Sequence, residues 1–224
     1  MKIQNGKAAQ GGFTLVEIAI VLVIIGLLLG GILKGQEMIT QAKIKNIIND
    51  FNGLSAAMYS YQDRYRALPG DDLQANPRWA GAVSGNGNGQ YTGNYNSILA
   101  AVPVAANETN LFWWHLRLAG FVPGPTAAGA AAANPPNNAA GGLIGVQTGT
   151  GAATLGFTSN ILCTTNLPDK IAIAADTQMD DGTYNTGTVR AILQAGPNPD
   201  LRAQVAGDAY VENGTNQYAL CHNL

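Results

Sequence analysis

The chain is poor in charged residues, cysteine and histidine. Only 12% of its 224 residues are charged, the net charge is −2, and there are two cysteines and two histidines. A broad basic face for nucleic acid is therefore disfavoured, and two cysteines cannot complete a metal site by themselves. Glycine, by contrast, is abundant at 28 residues, which predicts many turns and loops. The length allows one globular domain of ordinary size with an appendage.

The side chains that would carry out catalysis are also missing as a set. The glycine-rich stretches are not followed by Lys-Ser or Lys-Thr, so no phosphate-binding loop is indicated. No nucleophile, base and orienting residue can be picked out together. We interpret His115, His222 and the pair Trp113-Trp114 as packing or surface residues. The sequence therefore predicts no enzymatic activity.

The first 34 residues form a polar leader followed by an apolar run. Residues 1–12 end in two glycines, and the run from Phe13 to Leu33 contains a single charge, Glu17, before Lys34 ends it. At about 1.5 Å per residue the run is about 30 Å long and can span a bilayer. A secretory signal peptide has its small cleavage residues after the apolar run, whereas here they precede it. Cleavage after Gly12 would remove the leader and leave the anchor in the product.

Glu17 is the unusual residue of this run. A carboxylate inside a membrane helix is costly, so such residues usually serve a function. Cleavage after Gly12 would create an amine on Phe13, one helical turn before Glu17. If neighbouring subunits compensate that amine and that carboxylate, the contact is head-to-tail. A repeated contact of this heterologous kind builds an open helical filament.

The stretch from Gly11 to Ile18, GGFTLVEI, resembles the signature shared by type IV pilins and type II secretion pseudopilins. The resemblance implies cleavage between Gly12 and Phe13 by prepilin peptidase, N-methylation of Phe13 by the same enzyme, and a role for Glu17 in docking a new subunit onto a growing filament. It also implies an inner-membrane precursor with a periplasmic head, handled by the assembly machinery, and later a cell-surface or periplasmic filament. An ordinary single-span anchor is the alternative.

Beyond Lys34 the pattern becomes that of an amphipathic helix. Apolar residues recur at spacings of three and four, namely Ile44, Ile47, Ile48, Phe51, Leu54, Met58, Tyr61 and Tyr65. No proline interrupts the chain from Phe13 to Tyr65, so one helix is predicted through both halves, ended by Pro69-Gly70. The predicted segments are a leader (1–12), a transmembrane and filament-core helix (13–34), an amphipathic helix that packs on the head (35–68) and a globular head (69–224).

The head is predicted to be a small α+β domain with a few-stranded antiparallel sheet laid on the long helix. Helices are expected from Asn107 to a cap at Gly120 and from Pro168 to Met179. The expected strands are Leu143–Gln147, Thr154–Phe157, Thr188–Leu193 and Gln217–Cys221. Two further segments are interpreted as a long ordered loop (70–106) and an exposed low-complexity insertion (124–142).

Two groups of side chains could stabilise the head. Cys163 and Cys221 suit one disulfide in an exported domain, worth about 4 kcal/mol on the chain-entropy model, and two reduced thiols are the alternative. Asp176, Asp180 and Asp181 offer oxygen ligands of the kind that Ca²⁺ takes. Their spacing is not that of an EF-hand, and a turn at Asp-Asp-Gly explains them equally well.

Three functions remain open at this point. The first is a structural subunit of a type IV pilus-like filament, which polymerises with copies of itself or with related subunits. The second is a pseudopilin of a type II secretion system. Many pilins have a proline in this helix where the present chain has Lys34, and the lack of that proline resembles the pseudopilins. The third is a membrane-tethered binding module that never polymerises. Apart from Ca²⁺ no cofactor is indicated, and no nucleic acid is expected as a partner.

Overall fold

The computed structural model of the chain describes residues 14–224. The chain falls into two units, divided between Gln41 and Ala42. In the described part of the first unit the backbone is helical from Leu15 onward, and the side chains are exposed or half-exposed. This helix, α1, spans Leu15–Tyr65 without interruption, which confirms the prediction of one long helix over these residues.

The N-terminal part of α1 is the apolar segment. Among the described residues, α1 is long and apolar enough to cross a membrane by length and composition, and its most apolar window has a mean hydropathy of 2.8. The large side chains along it are exposed, including Leu15 at 90%, Leu27 at 73% and Leu33 at 67%. So continuous an apolar surface is typical of a segment that meets lipid or other protein.

Residues 42–224 hold the rest of the secondary structure. In chain order the elements after α1 are α2 (Ala75–Arg78), α3 (Glu108–Leu118), α4 (Ala130–Ala133), β1 (Ile144–Thr148), a 3₁₀ turn (Ala152–Thr154), β2 (Asn160–Pro168), α5 (Asp169–Met179), β3 (Val189–Leu193), a second 3₁₀ turn (Ala206–Asp208) and β4 (Gln217–Asn223). The strands form one antiparallel sheet in the order β1-β2-β4-β3. The predicted α+β class with a few-stranded antiparallel sheet is confirmed.

One face of the sheet packs with α1, α3 and α5 into the main core. From α1 the core takes the apolar stripe predicted from the sequence, in which Ile44, Ile47, Phe51, Met58 and Tyr61 are at most 4% exposed. Alternate strand residues point to this face, as the period of two in a strand requires. They are Ile144, Val146, Leu162, Val189, Ala191, Tyr218 and Leu220.

The opposite face of the sheet holds the disulfide. Cys163 of β2 and Cys221 of β4 are register partners in the two central strands, and their sulfur atoms are bonded. Loop residues cover them, chiefly Tyr95, Leu155 and Phe157. Both cysteines are fully buried, so the bond joins the middle of the sheet inside an apolar layer.

Strand β2 is absent from the sequence prediction. Both of its faces are covered, so its sequence NILCTTNLP shows no clean alternation of apolar and polar residues. Its pairing with β4 is irregular between Thr164 and Leu167, and Asn166 inside that stretch has a φ of 56°. The run from Ile161 to Thr165, rich in apolar and β-branched residues, is the signal that could have revealed it.

The strand predicted at Thr154–Phe157 is wrong. The chain forms a 3₁₀ turn there, Leu155 has a φ of 56°, and Phe157 makes a single bridge with Gly151. Gly151 and Gly156 have φ values of 82° and 78°. These two left-handed glycines turn the chain too tightly for an extended segment.

The prediction that residues 124–142 form an exposed insertion is wrong in its middle. Ala132 and Ala133 of α4 are fully buried and cluster with Leu111 and Trp114. Nη1 of Arg117 donates to three backbone carbonyls at the end of α4, at 2.7 to 3.3 Å. Alanine leaves room for this close approach, so the low-complexity composition of this segment does not mean that it is exposed.

The remaining elements lie where the sequence predicts them. Helices α3 and α5 and strands β1, β3 and β4 start and end within two residues of the predicted positions, which is the usual uncertainty of element boundaries. Gly120 follows α3 with a φ of 76°, as expected for a glycine that caps a helix. The long loop of residues 70–106 contains one short helix, α2.

Replacing Ile47 by alanine should lower the free energy of unfolding by about 2–5 kcal/mol, because a fully buried side chain then leaves a cavity. Asn46→Ala, at the exposed neighbouring position, should change it by no more than about 0.5 kcal/mol. Denaturant unfolding of the full chain in detergent micelles, followed by tryptophan fluorescence, measures both. Equal losses in the two variants would contradict the burial of this helix face.

Candidate functional site

The first turn of α1 contains Glu17, whose carboxylate is bonded to Thr14. The backbone N–H and the hydroxyl of Thr14 donate to Oε2 of Glu17 at 2.8 and 2.9 Å. In return, the N–H of Glu17 donates to Oγ1 of Thr14 at 3.2 Å. This reciprocal pair is a capping box, which satisfies amide groups that have no partner inside the helix. An acidic group here also complements the positive end of the helix dipole.

The segment beyond Glu17 carries no further charge until Lys34. Nζ of Lys34 pairs with Oε2 of Glu37 at 2.9 Å, one turn along the same helix and largely in the open. The two charged positions therefore bound a stretch of α1 that is apolar on all sides. A helix of that composition matches a bilayer rather than one side of a soluble core.

The predicted processing residues, Gly12 and Phe13, lie outside the described residues. Thr14 is the first described residue, and α1 begins directly after it at Leu15. The predicted assembly residue, Glu17, thus lies one turn from the predicted cleavage point.

Comparison with known protein families points to this same segment. A family model described as the prokaryotic N-terminal methylation motif matches residues 7–33. The match includes Gly12, Phe13 and Glu17, and it stops where the apolar run stops. The chain carries a prepilin signal. No significant match to a curated protein or to a solved structure accompanies it.

The prepilin signal supports a membrane-anchored precursor of the type IV pilin or pseudopilin kind. It implies processing by prepilin peptidase and assembly with other pilin-like subunits, and it suggests a structural rather than a catalytic protein. The motif ends at residue 33, so the match carries no information about the head.

The three aspartates proposed as Ca²⁺ ligands do lie together, at and after the end of α5. One oxygen from each of Asp176, Asp180 and Asp181 lies within 4.8 Å of the others. Asp176 is fully buried and accepts from the N–H of Gly182 at 3.2 Å and from the hydroxyl of Tyr210 at 2.5 Å. The site brings three carboxylates into range of one cation, and Ca²⁺ binding there stays a prediction.

Two of these carboxylates also organise the turn between α5 and β3. Oδ2 of Asp180 accepts from the backbone N–H groups of Thr188 and Val189 at 2.5 and 3.1 Å. Asp181 accepts from a backbone N–H and a hydroxyl within the turn itself, at 2.8 and 2.5 Å. These bonds account for the Asp-Asp-Gly sequence as a turn, the second interpretation that the sequence leaves open.

Three of the remaining residues singled out in the sequence, His115, Trp113 and Trp114, are buried in the head, whereas His222 is half-buried. His115 is fully buried, its Nδ1 accepts from the N–H of Gly70 at 2.9 Å, and its Nε2 lies 2.8 Å from the carbonyl oxygen of Val83. Burial lowers the pKa of His115, which favours the neutral ring. Trp113 and Trp114 are buried on α3. These side chains connect elements of the head.

Sequence reasoning missed a set of buried acidic residues that hold loops. Asp72 pairs with Arg78 and accepts from the hydroxyl of Tyr61 at 2.7 Å. Burial acts to raise the pKa of Asp72, but the hydrogen bonds from Tyr61 and Arg78 hold it below its usual value. Asp208 likewise pairs with Arg202 at 2.5 Å. The available signal is the position of these acids beside glycine- and asparagine-rich segments.

Relative to wild type, Asp176→Asn should gain stability as the pH rises from about 4 to about 6, and the difference should level off above that pH. Burial, reinforced by the charges of Asp181 and Asp180, raises the pKa of Asp176 from 3.8 to about 6. Ionisation at higher pH therefore opposes folding, and this cost fades once both the folded and unfolded states are protonated. The Tm of the variant minus that of wild type, measured across this range, should decrease as the pH falls; a difference that does not change with pH would contradict the raised pKa.

Proposed function

We propose that the chain is a structural subunit of a type IV pilus-like helical filament. It is made as an inner-membrane precursor with its head in the periplasm, cleaved after Gly12, N-methylated at Phe13 and polymerised through α1. The observation that carries the proposal is the prepilin signal at residues 7–33, which overlaps the start of α1 and contains Glu17, the single acidic residue of that helix before Lys34.

The exposed apolar surface of α1 supports polymerisation. Leu15, Leu27 and Leu33 are among the many large side chains that are more than half exposed. In a bilayer, lipid covers such side chains, and outside it only other protein can do so. Gly26 and Gly30 have nothing within 4 Å of the position a Cβ would take. Small residues spaced by four on an apolar helix allow neighbouring helices to approach closely.

The carboxylate of Glu17 retains an acceptor for a neighbouring subunit. Both bonds that it accepts from Thr14 use Oε2, so among the described residues Oε1 has no hydrogen-bond donor. Cleavage after Gly12 supplies a cationic amine on Phe13, which a bond to that oxygen would neutralise in the apolar filament core. A charge-assisted bond of this kind is among the strongest that a protein makes.

A pseudopilin of a type II secretion system is the second candidate. Helix α1 continues without interruption through Lys34. Many pilins have a proline at this position, and its absence resembles the pseudopilins. A membrane-tethered module that binds a partner without polymerising has the same anchor but needs neither cleavage nor Glu17. Imaging of the assembled product separates a long surface pilus from a short periplasmic pseudopilus and from single tethered heads.

Glu17→Ala should permit membrane insertion and cleavage, yet reduce filament yield by roughly tenfold or more, because one charge-assisted intersubunit bond is lost. Glu37→Ala is the matched control, since it removes a carboxylate from the same helix outside the apolar run, and it should leave yield near the wild-type level. Electron microscopy of sheared filaments, with immunoblots of precursor and product, measures both steps. Normal filaments from Glu17→Ala would refute the docking role.

A further inference from the structure

The head contains exposed Asn-Gly pairs, the dipeptide most prone to spontaneous deamidation. Among the described residues these pairs are Asn52-Gly53 in α1, and Asn86-Gly87, Asn88-Gly89 and Asn213-Gly214 in loops. All three loop pairs are exposed to water. Glycine has no side chain to hinder its own backbone nitrogen from attacking the preceding asparagine.

Deamidation begins at the glycine nitrogen. That nitrogen loses its proton and attacks Cγ of the asparagine, so that an N–Cγ bond forms, the Cγ–Nδ2 bond breaks and ammonia leaves. Water then opens the resulting succinimide at either carbonyl and yields aspartate or isoaspartate. Each event adds one negative charge to a chain of net charge −2, and isoaspartate also inserts a methylene group into the backbone.

Asp71 binds the attacking nitrogens of two of the loop pairs. The N–H of Gly87 donates to Oδ1 of Asp71 at 2.6 Å, and the N–H of Gly89 donates to Oδ2 at 2.6 Å. The N–H of Asn88, between them, also donates to Oδ1, at 3.2 Å. Asp71 is only 4% exposed, so water competes little for its carboxylate.

Asp169 binds the attacking nitrogen of the third loop pair. The N–H groups of Gly214 and Asn213 donate to its Oδ2 at 2.6 and 2.7 Å. Asp169 is 3% exposed and begins α5, far along the chain from Asp71. Two unrelated parts of the head thus hold an Asn-Gly pair in the same way.

The glycines of the three loop pairs cannot be replaced by other residues without backbone strain. Gly87, Gly89 and Gly214 have φ values of 73°, 82° and 76°, a conformation that residues with a Cβ rarely adopt. At Gly87 a Cβ would also lie 2.6 Å from the side chain of Leu73. The asparagine side chains also stabilise the loops, because the side-chain oxygen of each accepts a hydrogen bond from the N–H two residues on, at 2.9 to 3.0 Å.

We propose that Asp71 and Asp169 protect the three loop pairs, which are latent deamidation sites, by holding the glycine N–H groups that must lose their protons. A hydrogen bond to a carboxylate stabilises the protonated amide. Loss of that proton would create an anion beside the negative charge of the carboxylate, so attack on the asparagine is opposed twice. The protection follows from these contacts alone and holds whether or not the chain forms a filament.

The test measures deamidation site by site in the full chain in detergent micelles, incubated at mildly alkaline pH and mapped by peptide mass spectrometry. In Asp71→Asn, conversion of Asn86 and Asn88 should rise about tenfold, the factor expected for the loss of one charge-assisted bond, while Asn213 stays at the wild-type rate. In Asp169→Asn the pattern should reverse. The two variants are therefore matched controls for each other.

The deamidation rate of Asn52 reports general unfolding, because the N–H of Gly53 lies inside α1 and is held by neither Asp71 nor Asp169. Conversion of Asn52 should stay constant in both variants. Slower conversion of Asn86 and Asn88 in Asp71→Asn would overturn the proposal, since the carboxylate would then act as a base that promotes attack. Deamidation at the wild-type rate at all four pairs in both variants would also overturn the proposal, because the fold as a whole, and not the two carboxylates, would then supply the protection.

Discussion

The packing of one face of α1 against the sheet is the contact on which the rest of the head depends. Ile47, Phe51 and Tyr61 are almost completely buried in the same cluster as alternate residues of the strands. Burial of each such side chain contributes about 1.5–3 kcal/mol. Tyr61 also donates to Asp72, which links the helix face to the start of the long loop. Because this face belongs to the helix that begins with the apolar segment, the head takes part of its core from the anchor-bearing helix.

The few acidic residues of the chain are concentrated where they hold the backbone of the head. Several of the few acidic residues lie inside the head, where they bind loops instead of solvating the surface. Asp71 and Asp169 accept backbone N–H groups, and Asp72 and Asp208 pair with arginines. Buried amides need such partners, and glycine-rich loops have few side chains to provide them. The same bonds that order the loops shield their Asn-Gly pairs from attack.

Local patterns in the sequence predicted the parts of the structure that depend on local chemistry. The spacing of Ile44 to Tyr65 predicts the buried face of α1, and the resemblance of residues 11–18 to the pilin signature predicts the prepilin signal. The misses come from distant contacts. Strand β2 is covered on both faces and so lacks alternation, and the bond from Gly87 to Asp71 joins residues 16 positions apart. The capping box of Thr14 and Glu17 is local, and the Thr-x-x-Glu spacing is the signal that could have revealed it.

The mass and N-terminal sequence of the mature protein, purified from membranes and from any filaments, test the central claim most directly. The account predicts a chain that begins at Phe13 and carries one methyl group on its amine, with Glu17 and the whole apolar helix retained. A mature chain that still begins at Met1, or one cut after the apolar run, would contradict it.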